Sequence, residues 1–290
     1  MPIWQNKILV HKIFCARVFL FLEDKMEIKD CVVLLAGLGT RCYPFAYSVP
    51  KCMIPVGTKP VIEYIVDEAK LSGIENIYFV LPKFMDTKVV LKHFENQKRL
   101  LEILKQKNSP YYQEIEQRKF PNIKAIYSKF PNGSGGAILD CQRYLKGKYF
   151  VVANGDDIFF GEPVIKQIID ESKKHNACVV SSMPIDVKEN HKFGMIQVQE
   201  NDDFLKITNI IEKPKNNNVL NQAIIGRYIL NDKIFEVLKN TPKVNGEIYL
   251  TTAIGTLAQS ENIICCPTKS QRYDCGCKEG ILKANLQIQD

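Results

Sequence analysis

Three stretches of this chain carry residues whose types and spacing suit phosphate chemistry. The first is Gly37, Gly39, Thr40 and Arg41, followed by Pro50-Lys51 and Pro55. Glycines let a backbone come close to a phosphate or a base, and successive amides in such a loop cradle an anion. Arg41 adds a fixed positive charge whose fork of donors matches phosphate oxygens. The two prolines stiffen the segment that carries Lys51, a second cation. The second stretch is Asn154-Gly155-Asp156-Asp157, at the end of an apolar run. Carboxylates there, together with substrate phosphates, offer hard oxygens to a divalent cation such as Mg²⁺. The third is Pro131-Asn132-Gly133-Ser134-Gly135-Gly136, a glycine-rich turn ahead of a helical pattern and another meeting place for an anion and backbone N–H groups. Each stretch has an ordinary reading too: a strand-to-loop turn, an Asp-rich helix cap, a flexible connector. The dinucleotide fingerprint is excluded, because no third glycine follows Gly37 and Gly39 at the required spacing, and no Gly-Lys-Ser/Thr makes a Walker loop.

The elements that must position these residues follow from periodicity. Residues 31–36 form an unbroken, partly β-branched apolar run, the pattern of a buried parallel strand. Residues 60–72 space their apolar side chains as a helix, with Pro60 in the first turn and Gly73 at the end. A second strand at 76–81 completes a right-handed βαβ unit. Residues 83–119 read as two charged helices divided at Asn108-Ser109-Pro110, with His93 a surface or packing histidine. A strand at 123–127, a helix at 137–145 and a strand at 149–153 come next, the last ending on Asn154. Ligands of open α/β sheets bind outside the carboxyl ends of the strands, which is where the glycine loop and the Asp pair both fall. Further strands are expected at 177–183, from 193, at 205–211 and from 221, with helices near 231 and 246 and at the end. No internal repeat or low-complexity linker divides the chain, so one domain is expected.

Composition is that of a globular enzyme: 290 residues, 46% hydrophobic and 24% charged. The net charge of +7 suits anionic substrates and is too diffuse for nucleic acid. The 10 cysteines are scattered and lack paired metal-ligand spacing, so reduced thiols are expected. Residues 1–25 are basic and partly apolar. Arg17 interrupts their apolar part, which is too short to span a bilayer and lacks a small-residue cleavage site. They read as an extension outside a folded domain of residues 26–290, and the protein as cytoplasmic, with no membrane association.

The full set of landmarks resembles the sugar-1-phosphate nucleotidylyltransferases, and among them the bacterial glucose-1-phosphate uridylyltransferases. The set comprises Ala-Gly-Leu-Gly-Thr-Arg (36–41), Pro-Lys (50–51), Asn-Gly-Asp-Asp (154–157), Phe-Gly-Met-Ile (193–196), Glu-Lys-Pro (212–214), Ala-Ile-Ile-Gly-Arg-Tyr (223–228), Gly-Glu-Ile (246–248) and Arg-Tyr-Asp (272–274). The resemblance implies a Rossmann-like α/β fold, a mostly parallel mixed sheet with helices on both faces. It implies transfer of UMP from UTP to glucose 1-phosphate, giving UDP-glucose and pyrophosphate with Mg²⁺ as cofactor, in a homo-oligomer (dimer or tetramer). By the same resemblance Ala36, Gly37, Gly39, Thr40, Ser128 and Gly133 serve the nucleotide, and Arg41, Lys51 and Lys213 the phosphates. Gly155, Glu212 and Gly226 serve the sugar, and Asp156 and Asp274 the metal. Three departures stand out: Cys52 in place of a Glu, Ser128 in place of a base-reading Gln, and Cys277 in place of an Asp. A hydroxyl at 128 predicts preference for UTP with weaker rejection of dTTP. Thymidylyl transfer, another sugar 1-phosphate and a catalytically weak regulatory paralogue remain open as alternatives.

Overall fold

In the computed structural model residues 26–288 are described, apart from 96, 146, 202 and 215–221, so the extension expected at 1–25 lies outside the described residues. The strands in chain order are β1 (Asp30–Leu34), β2 (Pro55–Val56), β3 (Lys59–Pro60), β4 (Asn76–Pro82), β5 (Asn122–Ser128), β6 (Phe150–Asn154), β7 (Asp157–Phe160), β8 (Cys178–Pro184), β9 (Gly194–Asn201), β10 (Phe204–Glu212), β11 (Gln222–Leu230), β12 (Ile263–Pro267) and β13 (Gln271–Asp274). The main sheet runs β5-β4-β1-β6-β11-β8-β12-β10-β9. Its first four strands are parallel. The chain fills the β4 side of β1 first and then crosses to β6 on the other side, so the carboxyl ends of β1 and β6 open a crevice at a switch point.

Beyond β6 the sheet is mixed. β11 runs antiparallel to both β6 and β8, β12 is parallel to β8, and β9 and β10 form an antiparallel edge. β11 extends past the end of β6, where β9 pairs with it through Ala223–Met195 and Gln222–Ile196. Its ladder with β8 is interrupted between Ile224 and Tyr228. Gly226 sits in that interruption at φ +77°, and a Cβ there would lie 2.4 Å from Asn154 Nδ2 and 2.6 Å from Asp157 Oδ2. Only glycine lets the strand pass so close beneath the Asp pair.

Helices cover both faces, and the apolar periodicity explains which. Val61, Ile62, Ile65 and Val66 of helix Val61–Leu71 pack with Ile165 and Ile168 of helix Val164–His175 on one face. Ile138, Leu238 and Ile254, from helices Gly133–Leu139, Ile234–Asn240 and Leu250–Leu257, fill the other.

Four local expectations need correction. β1 ends at Leu34, leaving Leu35 and Ala36 to begin the glycine loop. Residues 83–119 form three short helices, Lys88–Phe94, Lys98–Gln106 and Tyr112–Glu116. The glycine-rich turn is itself the start of helix Gly133–Leu139, and the expected helix to 145 breaks into a second piece, Gln142–Leu145. Close packing explains the glycines: a Cβ on Gly133 would come within 2.5 Å of Ile248 O, and one on Gly135 within 2.6 Å of Ile248 Cγ2. The small β7–β13 sheet was not anticipated, and its register sets Asp157 opposite Asp274.

Candidate active site

The loop after β1 and the turn after β6 face each other at the switch point. Gly39, at φ +67°, turns the loop so that Thr40, Arg41 and Cys42 form a short 3-10 turn. Lys51 begins a second such turn and reaches across to Asp156, with which it forms a partly buried ion pair. A Cβ on Gly37 would lie 3.3 Å from Lys51 Nζ, so a bare backbone at 37 leaves the ammonium room. Arg41 Nη1 bonds Asp274 Oδ2 at 3.1 Å. Gly37, Gly39, Thr40, Arg41, Lys51 and Asp156 line a cavity of about 430 Å³ that runs from Ala36–Arg41 past Asp156 to Ser128, Phe130, Asn132 and Gly133.

A second cavity, of about 610 Å³, lies beside it over the mixed half of the sheet. Glu212, Lys213, Thr251, Tyr249 and Arg272 line it, with Phe193 and Gly194. Glu212 Oε2 accepts a hydrogen bond of 2.8 Å from Thr251 Oγ1, which aims the carboxylate. Lys213 is held at φ +44°, a conformation uncommon for a residue with a side chain, and its N–H bonds Phe193 O at 3.0 Å. Its Nζ lies 3.6 Å from Glu212 Oε1. Arg41, Asn154, Asp156, Ser134 and Glu247 line both cavities. The two spaces therefore meet at the Asp156 turn.

Charge at this junction is matched group by group. Lys51 faces Asp156, Arg272 faces Asp157 and Arg41 faces Asp274. Burial pushes the Asp156 carboxyl up, but Lys51, Arg272 and Arg41 outweigh it and hold the group below the usual carboxylate range. Lys51 responds in kind: burial lowers it, and the Asp156 charge more than restores it, so its pKa is raised. Asp157 goes the other way. Burial raises it despite Arg272, with Asp156 and Asp274 adding to the rise. Beneath the turn Arg227 is fully buried. It bonds Glu68 Oε2 through Nη2 at 2.8 Å and Nε at 3.1 Å, and Asp157 O at 2.8 Å and Asn154 O at 3.3 Å. Glu68 in turn accepts from Ile165 N at 2.9 Å. This network fixes the backbone of residues 154–157.

Asp156 and Asp274 also fit a hard divalent cation. A Cβ on Gly276 would lie 2.7 Å from Asp156 Oδ2, 2.8 Å from Asp274 Oδ1 and 2.9 Å from Arg41 Nη2, so the two carboxylate oxygens stand within about 5.5 Å of each other with the Arg41 guanidinium beside them. Among the described residues no group of three or more His, Cys, Asp or Glu is arranged to hold a metal. A cation here would thus take two protein carboxylates and draw its remaining oxygens from substrate phosphates and water.

Of the residues expected from the sequence, Ala36, Gly37, Gly39, Thr40, Arg41, Lys51, Ser128, Gly133 and Asp156 line the first cavity, and Arg41, Asp156, Glu212, Lys213 and Asp274 the second. Gly155 and Gly226 line neither. Gly155 N bonds Leu34 O at 3.1 Å, and a Cβ on it would collide with Leu34 O at 2.6 Å, so both glycines shape the backbone behind the site. Ser128 is only 1% exposed, and its hydroxyl is taken by Asn132. Asn132, Asn154, Glu247, Thr251 and Arg272 were not anticipated as cavity residues. Asn154, Glu247 and Arg272 lie inside the landmarks and Asn132 inside the glycine-rich turn, so their signal was present as membership of those stretches, whereas Thr251, three residues past Ile248, carried none.

Residues 30–290 match the nucleotidyl transferase family. The chain is 34% identical over 270 residues, 90% of its length and 92% of the other protein's, to the UTP–glucose-1-phosphate uridylyltransferase of Mycoplasma genitalium. It superposes on the UTP-bound UGPase from Acinetobacter baumannii with a TM-score of 0.82, at 29% identity, covering 90% of this chain and 93% of that one. A UDP-glucose pyrophosphorylase complexed with UDP-glucose gives a TM-score of 0.78 at 31% identity, over 91% and 99% of the two chains. With residues 30–290 matching that family and a relative 34% identical over 90% of its length, the chain belongs to the nucleotidyl transferase family, and UTP–glucose-1-phosphate uridylyltransferases are among its relatives.

Proposed function

We propose that this protein transfers UMP from UTP to glucose 1-phosphate, releasing pyrophosphate and forming UDP-glucose. The observation that carries this reading is the meeting of two cavities at one Asp turn, with Arg41, Lys51 and Asp156 at the junction. Nothing in the reaction requires a covalent enzyme intermediate. A phosphate oxygen of glucose 1-phosphate attacks the α-phosphorus of UTP, the bond to the β-phosphate oxygen breaks, and pyrophosphate leaves with its electron pair. The protein must hold two anions in line and neutralise the charge that develops, which is mostly positioning and electrostatics.

In this reading the triphosphate lies along the glycine loop after β1, against Arg41 and Lys51. Glucose occupies the second cavity, where Glu212 accepts from its hydroxyls and Lys213 meets its phosphate. Asp156 and Asp274 would hold Mg²⁺, which would supply positive charge to offset that of the substrate phosphates. Arg227 and Arg272 keep the Asp turn in place. A cytoplasmic location and a homo-oligomeric state belong to the same reading; among the described residues no helix is long and apolar enough to cross a membrane. Residues 1–25 act as a dispensable extension, so a chain begun at Met26 keeps full activity and melting temperature.

The deciding experiment is pyrophosphate release by the purified protein with Mg²⁺, glucose 1-phosphate and each of four nucleoside triphosphates. UTP should give the highest kcat/KM. Faster turnover with dTTP would replace uridylyl by thymidylyl transfer. Absence of release with every triphosphate would remove the reading in favour of a binding subunit.

A further inference from the structure

The nucleotide cavity concentrates Arg41, Lys51 and Asp156 at one end, while at the other, among the described residues, Lys129 is the one charged residue in a lining of Pro82, Ser128, Phe130 and Asn132. Arg41, Lys51 and Asp156 stand at the carboxyl ends of β1 and β6. Pro82 and Ser128, paired in register, close β4 and β5 on the far side. Strands lie about 4.8 Å apart, so β5 stands roughly 14 Å from β6. A triphosphate held at the charged end places its base over the far one, beside Pro82, Phe130, Ser128 and Asn132.

Of the polar groups there, the Ser128 hydroxyl is buried and already engaged. It accepts from Asn132 Nδ2 at 3.0 Å and lies 3.4 Å from Lys129 O. Asn132 Nδ2 also bonds Asp140 Oδ2 at 3.2 Å. An ionised carboxylate only accepts, so the amide atom facing Asp140 is the nitrogen, and both of its hydrogens are used. Among the described residues the Asn132 side chain has no further bond, which leaves Oδ1 as its one free group, an acceptor. Space for this arrangement comes from Gly136: a Cβ there would sit 2.1 Å from Asn132 Oδ1 and 2.3 Å from Cγ. Residues 128, 132 and 136 are thus one coupled set. A short hydroxyl at 128 and no side chain at 136 are what admit and aim an amide at 132.

The geometry points to Asn132 as the residue that reads the base, with Ser128, Asp140 and Gly136 as its positioning partners. An acceptor at this point pairs with the imide N3–H of a uracil-type ring. Cytosine presents a lone pair at the same position, so the two acceptors repel. Thymine shares the imide edge, so Asn132 separates UTP from CTP and leaves UTP against dTTP unchanged. This assignment rests on the nucleotide reading of the cavity given above.

The test is direct binding of UTP, CTP and dTTP to the full-length protein by titration calorimetry, without sugar, followed by kcat/KM for pyrophosphate release. Wild-type protein should prefer UTP to CTP by at least about tenfold, the scale set by one hydrogen-bonding group left unpaired. Asn132→Ala should bring that ratio to within about threefold, chiefly by weakening UTP, while the UTP-to-dTTP ratio stays put. Gly136→Ala should do the same by displacing the amide, and the double variant should lose no more than either single one. If Gly136→Ala does not fold, Asn132→Leu, which keeps the volume and removes the acceptor, takes its place. An Asn132→Ala protein with wild-type melting temperature and an unchanged UTP-to-CTP ratio would overturn the assignment, as would wild-type protein that binds the two alike. A protein that prefers UTP through Asn132 yet transfers no uridylyl group would remove the proposed reaction and leave this assignment standing.

Discussion

The nucleotide-side cavity takes most of its lining from residues 34–41 and 128–137, in the loops that follow β1 and β5. Its neighbour, besides the junction residues it shares, takes most of its lining from positions 192 to 274, in and around β9, β10, β11 and β13 and the start of helix Leu250–Leu257. The first is largely backbone: Gly37, Gly39 and Gly133 leave main-chain groups bare in a parallel half-sheet. The second is largely side chain: Glu212, Lys213, Thr251 and Arg272 converge from strands of opposite direction. A planar base and a chain of phosphates can be held by amides at the end of a parallel sheet. A ring of hydroxyls needs separate donors and acceptors around it, and the antiparallel part of the sheet, where β9 pairs with β11 beyond the end of β6, supplies them on several sides.

The sharpest way to break this division is at the support both halves share. Arg227→Met leaves Glu68 buried without its partner and unties the backbone of Asn154 and Asp157. The expected loss is about 3–5 kcal/mol of stability, read from urea denaturation. A loss below about 1 kcal/mol would mean that the two halves are held independently.

Asp156 lines both cavities, so Asp156→Asn should lower kcat by at least about 10²-fold, the scale for removing one charge-stabilising group, with the far-ultraviolet spectrum unchanged. Near-normal turnover at saturating Mg²⁺ would remove it from the charge-neutralising role. Substitutions on one side should separate the substrates. Glu212→Gln should raise the KM for glucose 1-phosphate on the order of tenfold, since a carboxylate acceptor contributes about 1.5–3 kcal/mol, and leave UTP binding within about twofold. Gly39→Ala forces a side chain into φ +67° and within 3.0 Å of Lys51 Cβ. It should weaken UTP several-fold, for a strain of about 1–2 kcal/mol, and spare the sugar. Equal effects of either variant on both substrates would dissolve the distinction.

The smallest expected effect is in the pH profile of stability. The Asp156 pKa is lower in the folded chain than its ordinary 3.8. The folded state therefore binds that proton less tightly than the unfolded one, so the ion pair's contribution to stability is present in full above 3.8 and is lost as pH falls from there through the lower folded value. Asp157, raised by burial, works in the opposite direction and stabilises the fold only below its own folded value. Melting temperatures across this range should fall less steeply for Asp156→Asn than for wild type; parallel curves would show that the Lys51 pair adds no stability.

Read by itself, the sequence determined the half of the protein whose constraints are local. An unbroken apolar run, glycines at φ values other residues resist, prolines around Lys51 and an Asp pair at a strand end all act through near neighbours, so their order located β1, the glycine loop and the Asp turn. Local pattern also separated helix faces such as Val61, Ile62 and Ile65 from solvent. What only the tertiary structure decided are relations between residues far apart in the chain. The pairing of Arg41 with Asp274 spans 233 positions, and that of Arg227 with Glu68 spans 159. The roles of Gly226 and Gly155 came from collisions with Asn154, Asp157 and Leu34, which no spacing encodes. The fate of the Ser128 hydroxyl followed from an amide four residues on, whose place depends on the absence of a side chain at 136. Periodicity reports which face of an element is apolar. It does not report which atoms of two distant elements come within 3 Å, and hydrogen bonds, ion pairs and steric exclusion are settled at that distance.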